Sequence, residues 1–405
     1  VPNPVPPSPE PARASETPGP PDPAMEWALA LRDGSTTPWR SWFAAGPSDT
    51  PAQHPTNHPT NHPANHPATS GTGRRLPFLP GAQQLELLRR LNLAAAGRPL
   101  PTGMADRVLR AGSTDRGRGD LPLVGIATDG FGPPPVDPAT LPAEDLLKVA
   151  AGLLAEEVIT RAAPREPHTP TARWRRAPRF VGDPWATEFA YHAPRWGRAA
   201  RTGGRTYLLA GDLGTLAAHA WAARTVDGGG MDLGRWLRDR ITADRLPPVL
   251  DVAAHARRVA DRVGVPNTVV VLDPAQLPSG KRPPAPPAVS LDALELTRLV
   301  GRPLGLLTPA AERRRLLAHH LVPRLAAHPG GSAPALSVPD PWRSHLARHA
   351  DHLVTHLRRA GYPLLGSHER LVPSGAPHRD LREPTPDAVL ALALDLLLDP
   401  KEDPW

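Results

Sequence analysis

With 56 prolines and 34 glycines among its 405 residues, this chain can pack only part of its length into a core. Proline removes a backbone donor and fixes φ, so helices and strands are confined to the windows between prolines. The first 75 residues hold 17 prolines and little sustained periodicity. Such a segment buries too little apolar area to offset its ordering entropy, so 1–75 reads as a disordered Pro/His-rich head. Inside it, HPTN-HPTN-HPAN-HPAT spaces His54, His58, His62 and His66 four apart. A proline in every unit forbids a helix, so these imidazoles share no helical face and the repeat reads as a linker. The exception in the head is MEWALALRDG with Trp27, followed by Trp39, Trp42 and Phe43. That patch predicts a short helix that docks either on a partner or back on the domain.

The formal charge of +7 invites a nucleic-acid reading, but only Lys148, Lys281 and Lys401 are lysines. Arginine supplies the rest, scattered and interleaved with acids as in LRDRITADR, without the one-sided stripe that a nucleic-acid surface needs. Nucleic acid is therefore not the expected partner; a protein partner reached through the head is. The absence of cysteine excludes disulfides, thiolate nucleophiles and cysteine zinc sites, and fits a cytoplasmic location. No basic segment followed by an apolar run marks a secretory signal. The longest apolar run, AVLALALDLLLDP, is too short to span a bilayer and carries Asp395 and Asp399, so no membrane association is expected.

Beyond the head, 76–162 reads as a helical preface. Leu85, Leu88 and Leu91 share one helical face, and Leu146, Val149, Leu153 and Val158 repeat at helical spacing behind the acids Glu144 and Asp145. Leu123 to Ala127 is a strand or an extended tether. A Pro/Arg-rich linker, 163–178, follows. From Arg179 the pattern becomes strand–helix–strand: RFVGDP, then RTYLLAGD with LGTLAAHAWAART, then DVAAHARRVADRVG with NTVVVLD. This alternation predicts an α/β domain over 179–373, a mostly parallel sheet flanked by helices on both faces. A tail, 374–405, holds a last helix from Thr385 to Leu398.

In open α/β sheets ligands sit where strands run into helix N-termini. Two such loops are legible: FVGDPWAT, with Asp183 and Thr187, and AGDLGTLAAHAW, with Asp212, Thr215 and His219. Neither carries the lysine of a phosphate-binding loop. Asp212 and Thr215 are read first as helix caps. Glu188 joins Asp183 and Asp212 as an acid–base candidate only through its nearness to a strand end. Within 342–357, His345, His349, His352 and His356 fall on one helical face, the spacing at which imidazoles can chelate a metal. No HExxH pattern accompanies them, and a solvated flank is the simpler reading.

The order of segments from 179 onward resembles a bacterial sulfotransferase-like family with a P-loop-type α/β fold. AGDLGTLAAHAW offers Asp212 and Trp221 at that family's aspartate and tryptophan positions, MDLGRWLRDRI is similar to the helix that follows, and PWRSHLARHADHLVTHLRRAGYPLLG to its closing helix and corner. The resemblance implies a sulfuryl transferase using 3′-phosphoadenosine 5′-phosphosulfate, with Asp183, Thr187, Asp212, Thr215 and His219 around the donor. Its departures point the other way. The family's phosphate-binding arginine falls on Gly211 and its serine on His219, and GDPWAT lacks the glycine-rich, lysine-bearing cradle. Without those charge-assisted contacts a polyanionic donor loses its hold. The expectation is a divergent, pseudoenzyme-like or partner-binding protein. Its alternative is a transferase with altered donor contacts drawn from Arg179, Arg205, Arg224 or His219, and a weaker one is a nucleic-acid-binding regulator.

Overall fold

The computed structural model describes residues 22–45, 78–112, 121–126, 133–162, 179–192, 204–228, 230–241, 246–332, 336–373 and 383–399. The His/Pro repeat and the 163–178 linker lie outside the described residues.

The chain begins with helices α1 (Pro23–Arg32) and α2 (Trp39–Ala45). Asp22 starts α1 by accepting the Ala24 N–H at 3.0 Å, with Pro23 at the first helical position. Both helices dock on the body of the protein. Trp27 and Trp39 are buried, their rings 5.2 Å apart, and their indole N–H groups donate to the carbonyls of Thr37 and Val124. Asn92, on α3 (Ala82–Ala95), donates to the Leu31 and Ser35 carbonyls and pins the α1–α2 turn. The patch set apart from the rest of the head thus forms two helices within 22–45, where two indoles bury the apolar area that the average composition of the head lacks. Of the two fates open to the Trp27 patch, docking back on the domain is the one observed.

Helix α4 (Met104–Arg110) leads to an isolated parallel bridge between Leu123 and Val136, after which the chain turns at Val124–Gly125; Ala127 lies outside the described residues. Helix α5 (Ala143–Arg161) follows, buried on nearly every side from Leu146 to Val158, the mark of a helix with neighbours all round. The sheet strands are β1 (Arg179–Gly182), β2 (Thr206–Leu209), β3 (Thr268–Val271) and β4 (Leu364–Leu365). Helix α6 (Pro184–His192) joins β1 to β2; α7 (Leu213–Val226), α8 (Leu233–Arg240) and α9 (Val252–Val263) join β2 to β3. Between β3 and β4 run α10 (Leu291–Leu307), α11 (Ala310–Leu316), a π-turn at Leu317–Leu321, α12 (Val322–Ala327) and α13 (Asp340–Ala360). Helix α14 (Pro386–Leu398), capped by Thr385, closes the described chain and packs on α5, α3 and α10. The preface, the α/β stretch and the tail thus share one continuous core around α5.

All four strands are parallel and lie in the order β1-β2-β3-β4. Crossovers between parallel strands are right-handed, so a sheet that grows one strand at a time in one direction puts every crossover on the same face. Leu208 and Val270 point into that helical side. On the other face Phe180, Tyr207, Leu209, Val269 and Val271 form a second cluster with Leu277. Among the described residues Leu277, between the turns Pro274–Gln276 and Ser279–Lys281, packs into this face, with Ala186 and Leu365 partly buried against it. The parallel sheet is as expected; among the described residues the helices that pack against it gather on the Leu208–Val270 side. The two-residue β4 was not legible as a strand.

Helix α9 covers β2 and β3 and carries His255. Burial, and then the charge of Arg258, hold this imidazole below its ordinary value, with Asp251 opposing. The unfolded chain then binds a proton that the folded chain does not, and stability falls as pH drops from 6.5 through the folded value. His255→Gln is expected to flatten that part of a urea-midpoint profile across pH 7 to 5; an unchanged slope would remove His255 as its source.

Candidate functional site at the carboxyl edge of the sheet

Strands β1, β2 and β3 all run into an aspartate, and in each case its carboxylate caps the next turn of helix. Asp183 accepts the N–H groups of Trp185 and Ala186 through Oδ1, both at 3.0 Å. Asp212 accepts the Thr215 N–H at 2.9 Å, and Asp273 the Ala275 N–H at 3.0 Å. Gly182 makes the first of these turns feasible. Its φ is +105°, and a Cβ there would lie 2.2 Å from the Leu209 carbonyl oxygen, so only glycine lets β1 turn this closely past β2.

The structure brings four of the five predicted residues together. Asp183 and Asp212 lie at the ends of neighbouring strands. Thr215 and His219 lie four residues apart on α7, hence on one face. Asp183 is buried, and its Oδ2 is 2.7 Å from Nδ1 of the half-buried His219. Thr215 Oγ1 donates to Asp212 Oδ2 at 2.5 Å. The fifth, Thr187, turns inward: its hydroxyl donates to the Asp183 carbonyl at 2.7 Å and also reaches the Pro184 carbonyl. Gly211 faces open space, so no side chain stands where the family's arginine would be. Trp221 is buried, its indole donating to the Met231 carbonyl, and acts as core.

The arginines offered as substitute phosphate ligands lie elsewhere. Arg179 opens β1 and Arg205 immediately precedes β2, so both stand at the amino edge of this parallel sheet. Arg224 is exposed in the last turn of α7, far along the helix from Asp212.

Sequence reasoning missed an ion pair that ties α6 to α11 through a buried carboxylate and a partly exposed arginine. Arg314 of α11 holds the buried Glu188 through both carboxylate oxygens, with the Nε contact at 3.1 Å, and also reaches Asp227 at 2.8 Å. Glu188 is thus committed to structure and is no acid–base partner for His219. The Asp227 carboxyl sits above its ordinary value through partial burial, which the Arg314 charge opposes. Beside this pair, Phe189 stands edge-on to Trp185 and to His319 in the π-turn. Pro323, which has no N–H to give the preceding turn, is the one sequence signal of that irregularity.

On α13, His345 and His349 stack edge to face at 5.0 Å, while His356 Nε2 lies 3.0 Å from an Arg257 nitrogen. No group of three or more potential metal ligands converges among the described residues. No helix among them is long and apolar enough to cross a membrane.

Chemically, the edge is a row of carboxylates already engaged with backbone N–H groups, plus one carboxylate-held imidazole. Comparison with protein-family models, with curated proteins and with solved structures found no match to this chain.

Proposed function

We propose that this chain is a divergent α/β protein of sulfotransferase-like, P-loop-type descent that no longer binds the phosphosulfate donor and acts by binding a partner. The observation that carries this reading is the occupation of the helix N-termini after β1 and β2. In an α/β phosphate site those N–H groups meet the ligand; here Asp183 and Asp212 take N–H groups at both. A phosphate entering either place has to displace a carboxylate or sit beside it, and like charges at such range repel strongly. No arginine or lysine of the first two loops offsets them. The strands also run in sequence order, so the described sheet has no point of order reversal, where open α/β sheets form their ligand crevice.

A second reading, an active sulfotransferase with altered donor contacts, has the Asp183–His219 pair in its favour. An imidazole held through Nδ1 by a buried carboxylate keeps Nε2 for taking an acceptor's proton. One titration separates the two. Adenosine 3′,5′-bisphosphate at up to millimolar concentration is expected to leave the melting temperature unchanged, because only a ligand of the native state raises it. A saturable rise would refute donor loss.

A further inference from the structure

Far from the sheet edge, a cavity of 540 Å³ opens between the first turns of α5, the second half of α10 and the start of α14. This volume lies within the range of small-molecule sites, roughly 300–1,000 Å³. Its wall is apolar: Leu147 and Ala151 from α5, Leu299 and Pro303 from α10, and Val389 from α14. Leu306 stands at the rim with 70% of its surface exposed, an apolar side chain left for something else to cover. Pro303, inside α10, has no N–H for the Leu299 carbonyl, so the hydrogen-bond ladder is interrupted at this wall.

The charged groups around the cavity are unequally committed. Arg298 is buried, holds Glu295 through both carboxylate oxygens and donates to the Gly230 carbonyl at 3.0 Å. Asp232 caps α8 through the Arg235 N–H, and Lys148 pairs with Asp145 at 2.9 Å. Arg302, one turn beyond Arg298 on the same face of α10, has no ion pair or hydrogen bond among the described residues. The N-termini of α5 and α14 open on the same space, and their dipoles favour negative charge there. Glu144, in the first turn of α5, repels an anion from its own side and so turns the charged end of a ligand towards Arg302.

We propose that this cavity binds a monocarboxylate with a medium-length apolar tail. The carboxylate pairs with Arg302 and the tail lies along Leu147, Ala151, Leu299 and Val389, under Leu306. A neutral alcohol of the same length gains the apolar contacts without the ion pair. An amine of that length brings a cation to Arg302 and is repelled.

The test is a thermal and calorimetric titration of the full chain with decanoate, decanol and decylamine, each below its micelle concentration. Decanoate is expected to bind saturably and most tightly, decanol more weakly, and decylamine not at all. Arg302→Gln, a change at an exposed side chain with no polar partner among the described residues to lose, should weaken decanoate about tenfold, the scale of one charge-assisted bond, and leave decanol unchanged. Ala151→Phe, which fills the cavity, should remove decanoate binding. An equal response to all three amphiphiles, decanoate binding indifferent to Arg302→Gln, or no saturable binding would each overturn the proposal. None of these outcomes bears on adenosine bisphosphate at the sheet edge.

Discussion

Asp183→Ala is expected to lower the unfolding free energy by about 3 kcal/mol, the sum of a lost N-cap and a lost charge-assisted bond to His219. One carboxylate serves both ends: Oδ1 caps α6 and Oδ2 holds the α7 imidazole. The substitution leaves the Trp185 and Ala186 N–H groups unsatisfied in a nearly closed site, and it strands the ring of His219. Asp183→Asn keeps an acceptor for the cap and should cost roughly half as much. Urea denaturation reads the result as a shift in midpoint at constant slope. A loss below about 1 kcal/mol for alanine would mean that the pair does not lock α6 to α7, and would leave Asp212 as the sole carboxylate on which donor exclusion rests.

The second large effect lies at the other end of the molecule. Trp27→Ala is expected to cost about 3–5 kcal/mol, the range for truncating a fully buried large aromatic. Trp27 is completely buried, packs on Trp39 and donates to the Thr37 carbonyl, and Trp39 in turn donates to the Val124 carbonyl in the turn after Leu123. Removing the first indole therefore loosens α1, α2 and the Val124 contact together. If this part of the head were an accessory, the same change would move the urea midpoint hardly at all, and limited proteolysis would cut equally before and after it.

Much of this architecture is legible in the sequence because its signals are local. The β-branched run of NTVVVLD, the apolar periodicity of α5 and the Thr385 cap each act within a few residues. The Asp212 cap is of the same kind, since a carboxylate two or three residues before a free N–H needs no tertiary partner, and Asp183 carries the same local signal. What stayed hidden depends on contacts between distant elements. Asp183 and His219 are 36 residues apart and meet only because α6 packs on α7. Glu188 finds Arg314 across 126 residues. The order of strands is likewise a tertiary fact: alternating strands and helices predict parallel pairing but do not say whether the sheet grows in one direction or two. In the head, Trp27 and Trp39 mark the docking patch locally, whereas the surfaces they dock on, the Thr37 and Val124 carbonyls and Asn92, are tertiary.

The position of α5 has a consequence for the order of assembly. Its apolar surface is completed by α10 and α14, and roughly 220 residues separate the end of α5 from the start of α14. At about 5–20 residues per second of synthesis, the last partner arrives about 11–44 s after α5 leaves the ribosome. Arg324 then fastens the finished assembly, bonding Glu157 of α5 at 2.8 Å and the Leu396 and Asp399 carbonyls of α14 at 2.6 and 3.0 Å. Until that clasp can close, a nascent chain holds the α14-facing side of α5 uncovered for tens of seconds, long enough for a chaperone to find it.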